Sequence, residues 1–294
     1  GGCGALRIAA EVIHAAAPDA RVWVSDPTWP VHIPLLGSVG LAFQTYRYYE
    51  PLTHGVNFDG MVEDLKAARA GDIVLLHGCC HNPCGADLTL QQWGVIADMA
   101  QQQGFTPFID IAYQGLGDGL DEDAAGLRLL VSRLPEVIVA ASCSKNLGLY
   151  RERTGAAIFV CSGESNANAI LSQALVAARR VYSMPPAHGA LLAGRILADE
   201  QLGAMWRAEL QGMCQRINGL RSSLRHALER YSGADFAFIE QEKGMFSFLG
   251  LSVEQAVRLR EEDAVYMLNS SRINVAGVNA NNLDYLAKAV ARVL

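Results

Sequence analysis

Up to about residue 160, apolar residues alternate between two rhythms along the chain. From Ala5 to Ala17 they recur at three- and four-residue intervals (Leu6, Ile8, Ala9, Val12, Ile13), the spacing of one helix face. Arg21 to Ser25 is instead a short apolar run that stops at Asp26-Pro27. The same alternation predicts helices over Phe58–Ala68 and Leu90–Gln103. It predicts buried strands over Ile73–Leu76, Phe105–Ile109, Val137–Ala141 and Ala156–Val160, with glycine punctuation at Gly71 and Gly78. Repeated strand-then-helix units imply an α/β fold, a mostly parallel mixed sheet with helices on both faces. Past Ser162 the pattern turns helical as far as Arg195, and Asp199 to Tyr231 reads as one long helix. Short strands are then expected around Phe236–Ile239, Met245–Phe248 and Ile273–Val275, with helices at Val253–Glu262 and Asn281–Leu294. The expected organisation is a large domain over residues 1–197, then over 198–294 a connecting helix and a smaller α+β C-terminal domain.

Composition narrows this picture. A chain of 294 residues that is 51% apolar can bury a real core, and its net charge of −6 with no Lys/Arg run argues against a nucleic-acid or anionic-membrane surface. No apolar stretch has the length of a membrane span, and no signal-peptide pattern opens the chain. The seven cysteines, with Cys79 and Cys80 adjacent, suit reduced thiols, so a soluble cytoplasmic protein is expected. The chain opens at Gly1-Gly2-Cys3-Gly4 without Met, in what reads as the middle of a βα unit, so an N-terminal portion is expected to precede it.

The candidate chemistry collects where strands end, which is where open α/β sheets bind ligands. Lys145 stands in Ser142-Cys143-Ser144-Lys145, Arg153 follows, and Asp110-Ile111-Ala112-Tyr113 lies upstream. An amine can form a Schiff base with an aldehyde, while hydroxyls and a guanidinium can hold a phosphate. A carboxylate can keep a pyridine nitrogen protonated, and a phenol can tune the imine. Together these are the needs of pyridoxal 5′-phosphate. The segment around Gly2 and Cys3, ahead of a helix, can offer backbone N–H groups to the phosphate, and Trp29 can stack on a flat ring. The amide of Asn82 can bond the ring oxygen, and His32 can orient Asp110. Taken singly, each has a plainer reading: a tight turn at Gly2, core packing for Trp29, a helix cap for Asp110, an ion pair with Glu152 for Arg153. A zinc alternative also arises, because His77, Cys79, Cys80, His81 and Cys84 crowd into eight residues. Their spacing lacks the paired half-sites of such centres, and no metal is expected.

The order of these tracts carries a resemblance. Gly1 to Leu6, Val24 to Pro30, His77 to Pro83, Asp110 to Gly115, Ser142 to Arg153, Pro185 to Gly189 and Gly244 to Ser247 resemble the aspartate/aromatic aminotransferases, the class I, fold-type I pyridoxal phosphate enzymes. The resemblance runs the full length given and implies that roughly a hundred family residues precede Gly1. It implies that Lys145 is the Schiff-base lysine, that Asp110 pairs with the pyridine nitrogen with His32 and His77 behind, and that Tyr113 and Asn82 bond the ring oxygen. It also implies Trp29 on the ring face, and Gly2, Cys3, Ser142, Ser144 and Arg153 around the phosphate. Trp29 and Asn82 would meet substrate as well. Arg272 would clamp the substrate α-carboxylate, and Arg179 would reach into a neighbouring subunit's site, which requires a homodimer.

The sequence departs from the family's pattern at Cys3 (usually Ser or Thr), Cys84 (Thr), Met184 and Ser271, none of which removes an essential group. The implied activity is ping-pong transamination between an L-amino acid (aspartate, tyrosine or phenylalanine) and 2-oxoglutarate. The rivals are another pyridoxal phosphate reaction on the same fold and a cofactor-binding protein that has lost turnover.

Overall fold

The computed structural model describes all residues, 1–294. The helix α1 (Gly2–Ala16) leads into strand β1 (Arg21–Asp26) and the short helix α2 (His32–Gly37). Strand β2 (Ala42–Arg47) follows, then a two-stranded hairpin, β3 (Tyr49–Glu50) and β4 (Gly55–Val56), and helix α3 (Phe58–Leu65). The succession β5 (Ile73–His77), α4 (Leu90–Gln103), β6 (Thr106–Ile111), α5 (Ala125–Arg133), β7 (Val137–Ser142) and β8 (Gly155–Val160) completes a six-stranded sheet. Its order is β2-β1-β5-β6-β7-β8, parallel throughout except where β8 runs antiparallel to β7. The expected mostly parallel mixed sheet is what forms.

Strand residues divide by parity between the two faces, as a pleat requires. Val22, Val24, Ile73, Leu75, Phe108, Ile138 and Ala140 pack under α1, with Leu6, Ala9, Ala10 and Ile13. Trp23, Val74, Leu76, Ile109, Val137 and Val139 pack on the other side with Met61, Leu65, Trp93, Ile96 and Leu130. The two central strand interiors are therefore continuous apolar runs.

Helix α4 falls on the expected residues because both ends are signalled. Thr89 and Gln92 form a reciprocal capping box, and Gly104 closes the helix in the left-handed region, φ 77°. Gly126 on α5 lies so close to α4 that an added Cβ would sit 2.4 Å from the Trp93 indole, whereas Gly94 on α4 has nothing within 4 Å. Gly126→Ala is therefore expected to destabilise the fold by about 1–3 kcal/mol through overpacking. Gly94→Ala should instead stabilise by up to about 1 kcal/mol through helix propensity. Urea midpoints of the two variants against wild type check both signs.

After β8 come α6 (Glu164–Tyr182), α7 (His188–Ala198) and the long α8 (Glu200–Ser232). The last is capped by the Asp199 side chain and ended by Gly233 at φ 74°. The remainder comprises α9 (Phe238–Gln241), β9 (Phe246–Phe248), α10 (Val253–Asp263), β10 (Arg272–Asn274) and α11 (Leu283–Val293), with β9 and β10 antiparallel. A separate core forms here from Leu224, Leu228, Phe236, Ile239, Leu259, Ala287 and Val290.

One expectation is corrected. Phe236–Ile239 is not a strand but the approach to and first turn of helix α9, with Phe236 and Ile239 both buried. Phe236 precedes the helix and Ile239 lies within it, and four apolar residues are too few to separate the two periods. Five elements lacked a sequence signal strong enough to read: α2, β2, β3, β4 and α5.

Candidate active site

Strand ends β1, β5, β6 and β7 deliver their loops to one rim of the sheet. A cavity of about 210 Å³ opens there, lined by Gly2, Cys3, Trp29, His77, Asn82, Asp110, Tyr113, Ser142, Ser144, Lys145 and Arg153 among others. Every sequence-derived cofactor residue thus meets at one place.

Asp110 comes up on β6 between β5 and β7, and burial alone would push its carboxyl up. The hydrogen bond and charge of His32, with Lys145 beyond, outweigh burial and hold the carboxyl below the usual range. His32, fully buried on α2, places Nε2 3.0 Å from Asp110 Oδ2. Behind it, Thr28 Oγ1 lies 2.8 Å from His32 Nδ1 and 3.2 Å from His77 Nε2. Burial drives His77 well below ordinary histidine values and His81 down to about 3, so both stay neutral. The other carboxylate oxygen, Asp110 Oδ1, is buried with no partner. An orphaned acceptor in a cavity wall is costly unless a ligand supplies the donor.

Lys145 follows β7. Its Nζ lies 4.4 Å from the centroid of the Tyr113 ring and 5.9 Å from that of Tyr150. Burial lowers its pKa, and the Arg153 charge adds to this against the opposing pull of Asp110 and Cys3. Burial also raises the Tyr113 phenol, which stays protonated at neutral pH.

Opposite these groups lies a cradle suited to an anion. The first turn of α1 has no side-chain cap, and its N–H groups have no partner inside the helix. A Cβ at Gly2 would come 3.3 Å from the Ser142 Cβ, so glycine lets this turn close on β7. The Ser142 hydroxyl accepts from the Ser144 N–H at 3.2 Å, and Arg153, left-handed at φ 54°, completes the rim. Orphaned acceptor, buried amine and anion cradle are the three attachment points that pyridoxal 5′-phosphate needs, and the residues present fit it.

The loop after β5 is tied down by Asp87, whose carboxylate accepts from the Cys80 and His81 N–H groups at 2.6 and 2.8 Å. It presents Asn82, whose Oδ1 accepts from Arg272 Nη1 at 3.0 Å. Arg272, on β10, also lies 4.7 Å over the Phe246 ring. Arg179 is not part of this cluster: it sits exposed on α6, away from the cavity of its own chain.

The zinc grouping weighed from sequence does not assemble. His77 bonds Thr28, while His81 bonds Ser25 and Cys84. Cys79, Cys80 and Asp123 do bring ligand atoms within 4.8 Å, but Asp123 already accepts from the N–H groups of Gly115, Gly117 and Asp118. Two residues went unremarked in the sequence. Thr28 precedes His32 by four positions and joins the two histidines. Tyr150, midway between Lys145 and Arg153 on the same loop, lines the cavity.

The aminotransferase class I and II family model matches residues 1–290. The aromatic-amino-acid aminotransferase of Paracoccus denitrificans is 50% identical over 294 residues, covering 100% of this chain and 75% of that protein. The aspartate aminotransferase of Escherichia coli K12 is 46% identical over 295 residues, covering 100% of this chain and 74% of that protein. In the solved structure of the Burkholderia pseudomallei aromatic-amino-acid aminotransferase covalently bound to pyridoxal phosphate, 74% of that chain matches 100% of this one at a TM-score of 0.98 and 42% identity. The chain belongs to the class I and II aminotransferases, pyridoxal 5′-phosphate-dependent enzymes that act on amino and oxo acids.

Proposed function

We propose that this aminotransferase moves the amino group of L-aspartate, tyrosine or phenylalanine to 2-oxoglutarate in two ping-pong half-reactions, with Lys145 as the lysine that holds the cofactor. The observation that carries this reading is the shared cavity: a desolvated amine at Lys145 and an unpartnered carboxylate oxygen at Asp110 line the same walls. The aspartate- and aromatic-named relatives support both donor classes.

Bound there, pyridoxal 5′-phosphate supplies an electrophilic carbon and a ring that withdraws electrons from the substrate Cα. Asp110, kept ionised by His32, holds a proton on the pyridine nitrogen, and His77 and Thr28 fix His32 from behind. Tyr113 and Asn82 would hold the ring oxygen, and Trp29 would pack against the ring. Gly2, Cys3, Ser142, Ser144 and Arg153 hold the phosphate. With cofactor and substrate bound, Lys145 Nζ would be placed to accept and return the substrate's α-proton, a task suited to an amine whose pKa burial has lowered. Arg272 orients the substrate by its α-carboxylate, steadied by Asn82 and Phe246.

In this reading residues 1–197 hold the cofactor and 198–294 bring Arg272 to it. Arg179, exposed on its own chain, meets the side-chain carboxylate of aspartate in the second subunit of a homodimer. The seven free cysteines support a cytoplasmic enzyme, and no helix is long and apolar enough to cross a membrane.

Amino-group transfer to 2-oxoglutarate, measured with each donor on the dimeric holoenzyme, tests the proposal. Arg179→Ala is expected to cut kcat/KM for aspartate by about 100-fold, as loss of a charged hydrogen-bonded pair does, while changing that for phenylalanine little. Equal losses for both donors would remove Arg179 from the substrate site. No transfer from any donor would end the proposal.

A further inference from the structure

Arg221 lies two-thirds of the way along α8, well outside the cavity, and is 1% exposed. A buried guanidinium is costly unless every donor is used. This one spends its donors on a single segment. It donates to the carbonyls of Ile239 at 2.9 Å, Lys243 at 3.2 Å, Gly244 at 2.7 Å and Phe246 at 2.6 Å, and to Glu242 Oε2 at 3.3 Å. Glu242 is held in turn by the Ser247 hydroxyl. The planar fork of arginine can meet this fan of acceptors, and the point charge of lysine cannot.

The far side of the same segment rests on the loop that follows Asn82. The Lys243 N–H donates to the Gly85 carbonyl at 2.7 Å. A Cβ at Gly85 would lie 2.6 Å from the Phe246 carbonyl oxygen, and one at Gly244 would lie 2.4 Å from the Cys80 Cβ. Residues 239–246 are thus gripped between α8 and the loop carrying Asn82. The segment ends at Phe246, whose ring meets Tyr113 edge-on at 6.0 Å and supports the Arg272 guanidinium at 4.7 Å.

We propose that Arg221 is a positioning residue for substrate binding: by gathering the carbonyls of residues 239–246 around one buried guanidinium, it sets the Phe246 ring that aims Arg272. The proposal rests on the reading of Arg272 as the partner of the substrate α-carboxylate. Its action should appear chiefly in substrate affinity, because it reaches the cofactor's partners only indirectly, through the Phe246–Tyr113 contact and the loop carrying Asn82.

The test compares R221K, F246L, the double variant and R272K as holoenzymes, reading KM, kcat and the cofactor absorbance band with its pH titration. R221K and F246L are each expected to raise KM for the amino donor by about tenfold, the range of a desolvated cation–π contact. Any shift of the absorbance band or its titration should be small beside the change in KM. The double variant should be little worse than either single one, since both act on one link. The proposal is overturned if F246L leaves KM unchanged, whether or not R221K folds. It is equally overturned if the two effects add in full, or if R221K shifts the cofactor titration and leaves KM alone. R272K separates the two readings. If R272K leaves KM unchanged, the carboxylate role of Arg272 fails, and this proposal fails with it. If R272K raises KM steeply and R221K does not, only the role of Arg221 is lost.

Discussion

Lys145→Ala is expected to lower kcat by about 10⁴-fold or more, the upper range for a residue that moves a proton in the rate-limiting step. The fold should survive it. The Lys145 amine makes no hydrogen bond or ion pair in the structure and is only packed over the Tyr113 and Tyr150 rings. Removing the amine leaves no hydrogen-bonding group unpaired, and the desolvation it relieves offsets the attraction to Asp110 that is lost, so the melting temperature should stay near wild type. Because burial lowers the amine's pKa, its neutral fraction grows at a lower pH than for free lysine, and activity should fall on the acid side as the amine protonates. A pre-steady-state trace of the donor half-reaction with and without added methylamine checks the assignment. Partial rescue by the small amine is expected. A variant that still turns over at the wild-type rate would show that Lys145 has no chemical role.

Asp110→Asn is expected to cost about 10³-fold in kcat, comparable with removal of one preorganised charge from a water-excluded site. An amide cannot keep a pyridine nitrogen protonated, and it offers His32 Nε2 a poorer partner. The sign with pH follows from the direction of the shift. The folded carboxyl lies below its usual value, despite burial, because of His32 and Lys145. Its contribution to stability is therefore complete above about pH 4 and fades only as pH falls through the folded value. Between neutral and alkaline pH the loss in Asp110→Asn should be flat. Asp110→Glu, which keeps the charge, should lose less. His32→Ala, which leaves the carboxylate but frees its orientation, should lose less than Asp110→Asn. A pH-rate profile of the three variants checks the order. An Asp110→Asn enzyme with near wild-type kcat would mean that the orphaned oxygen faces something other than the ring nitrogen.

Elements whose ends carry chemistry of their own were legible in the sequence. Helix α4 is bounded by Thr89 and Gly104, and α8 by Asp199 and Gly233, so both could be placed from local residues alone. Strand β2 could not: it is an edge strand, polar and mostly exposed, with only Tyr46 buried along it. Its identity comes from pairing with β1, a contact distant in sequence. The α9 turn was misread because Phe236 to Ile239 is apolar throughout and too short to declare a period.

The site divides in the same way. Asp110 and Ser142 lie at the carboxyl ends of apolar strands, and Lys145 follows such a strand, so topology alone gathers them. Thr28, Tyr150 and Arg221 were not legible as site residues, because their place depends on which side chains the tertiary fold brings opposite them. The histidine and cysteine crowd after β5 looked like a metal cluster when read along the chain. In three dimensions His77 bonds Thr28, and His81 is shared between Ser25 and Cys84.

The chain contains four lysines, Lys66, Lys145, Lys243 and Lys288. Lys66 pairs with Glu63 on the surface and Lys243 with Asp118, and only Lys145 lines the cavity. Borohydride reduction of the holoenzyme followed by peptide mass mapping therefore decides the central claim. A phosphopyridoxyl mass on the peptide containing Lys145, and on no other, is the predicted result. The same mass on a different lysine, or none at all in a cofactor-saturated enzyme, would contradict the account.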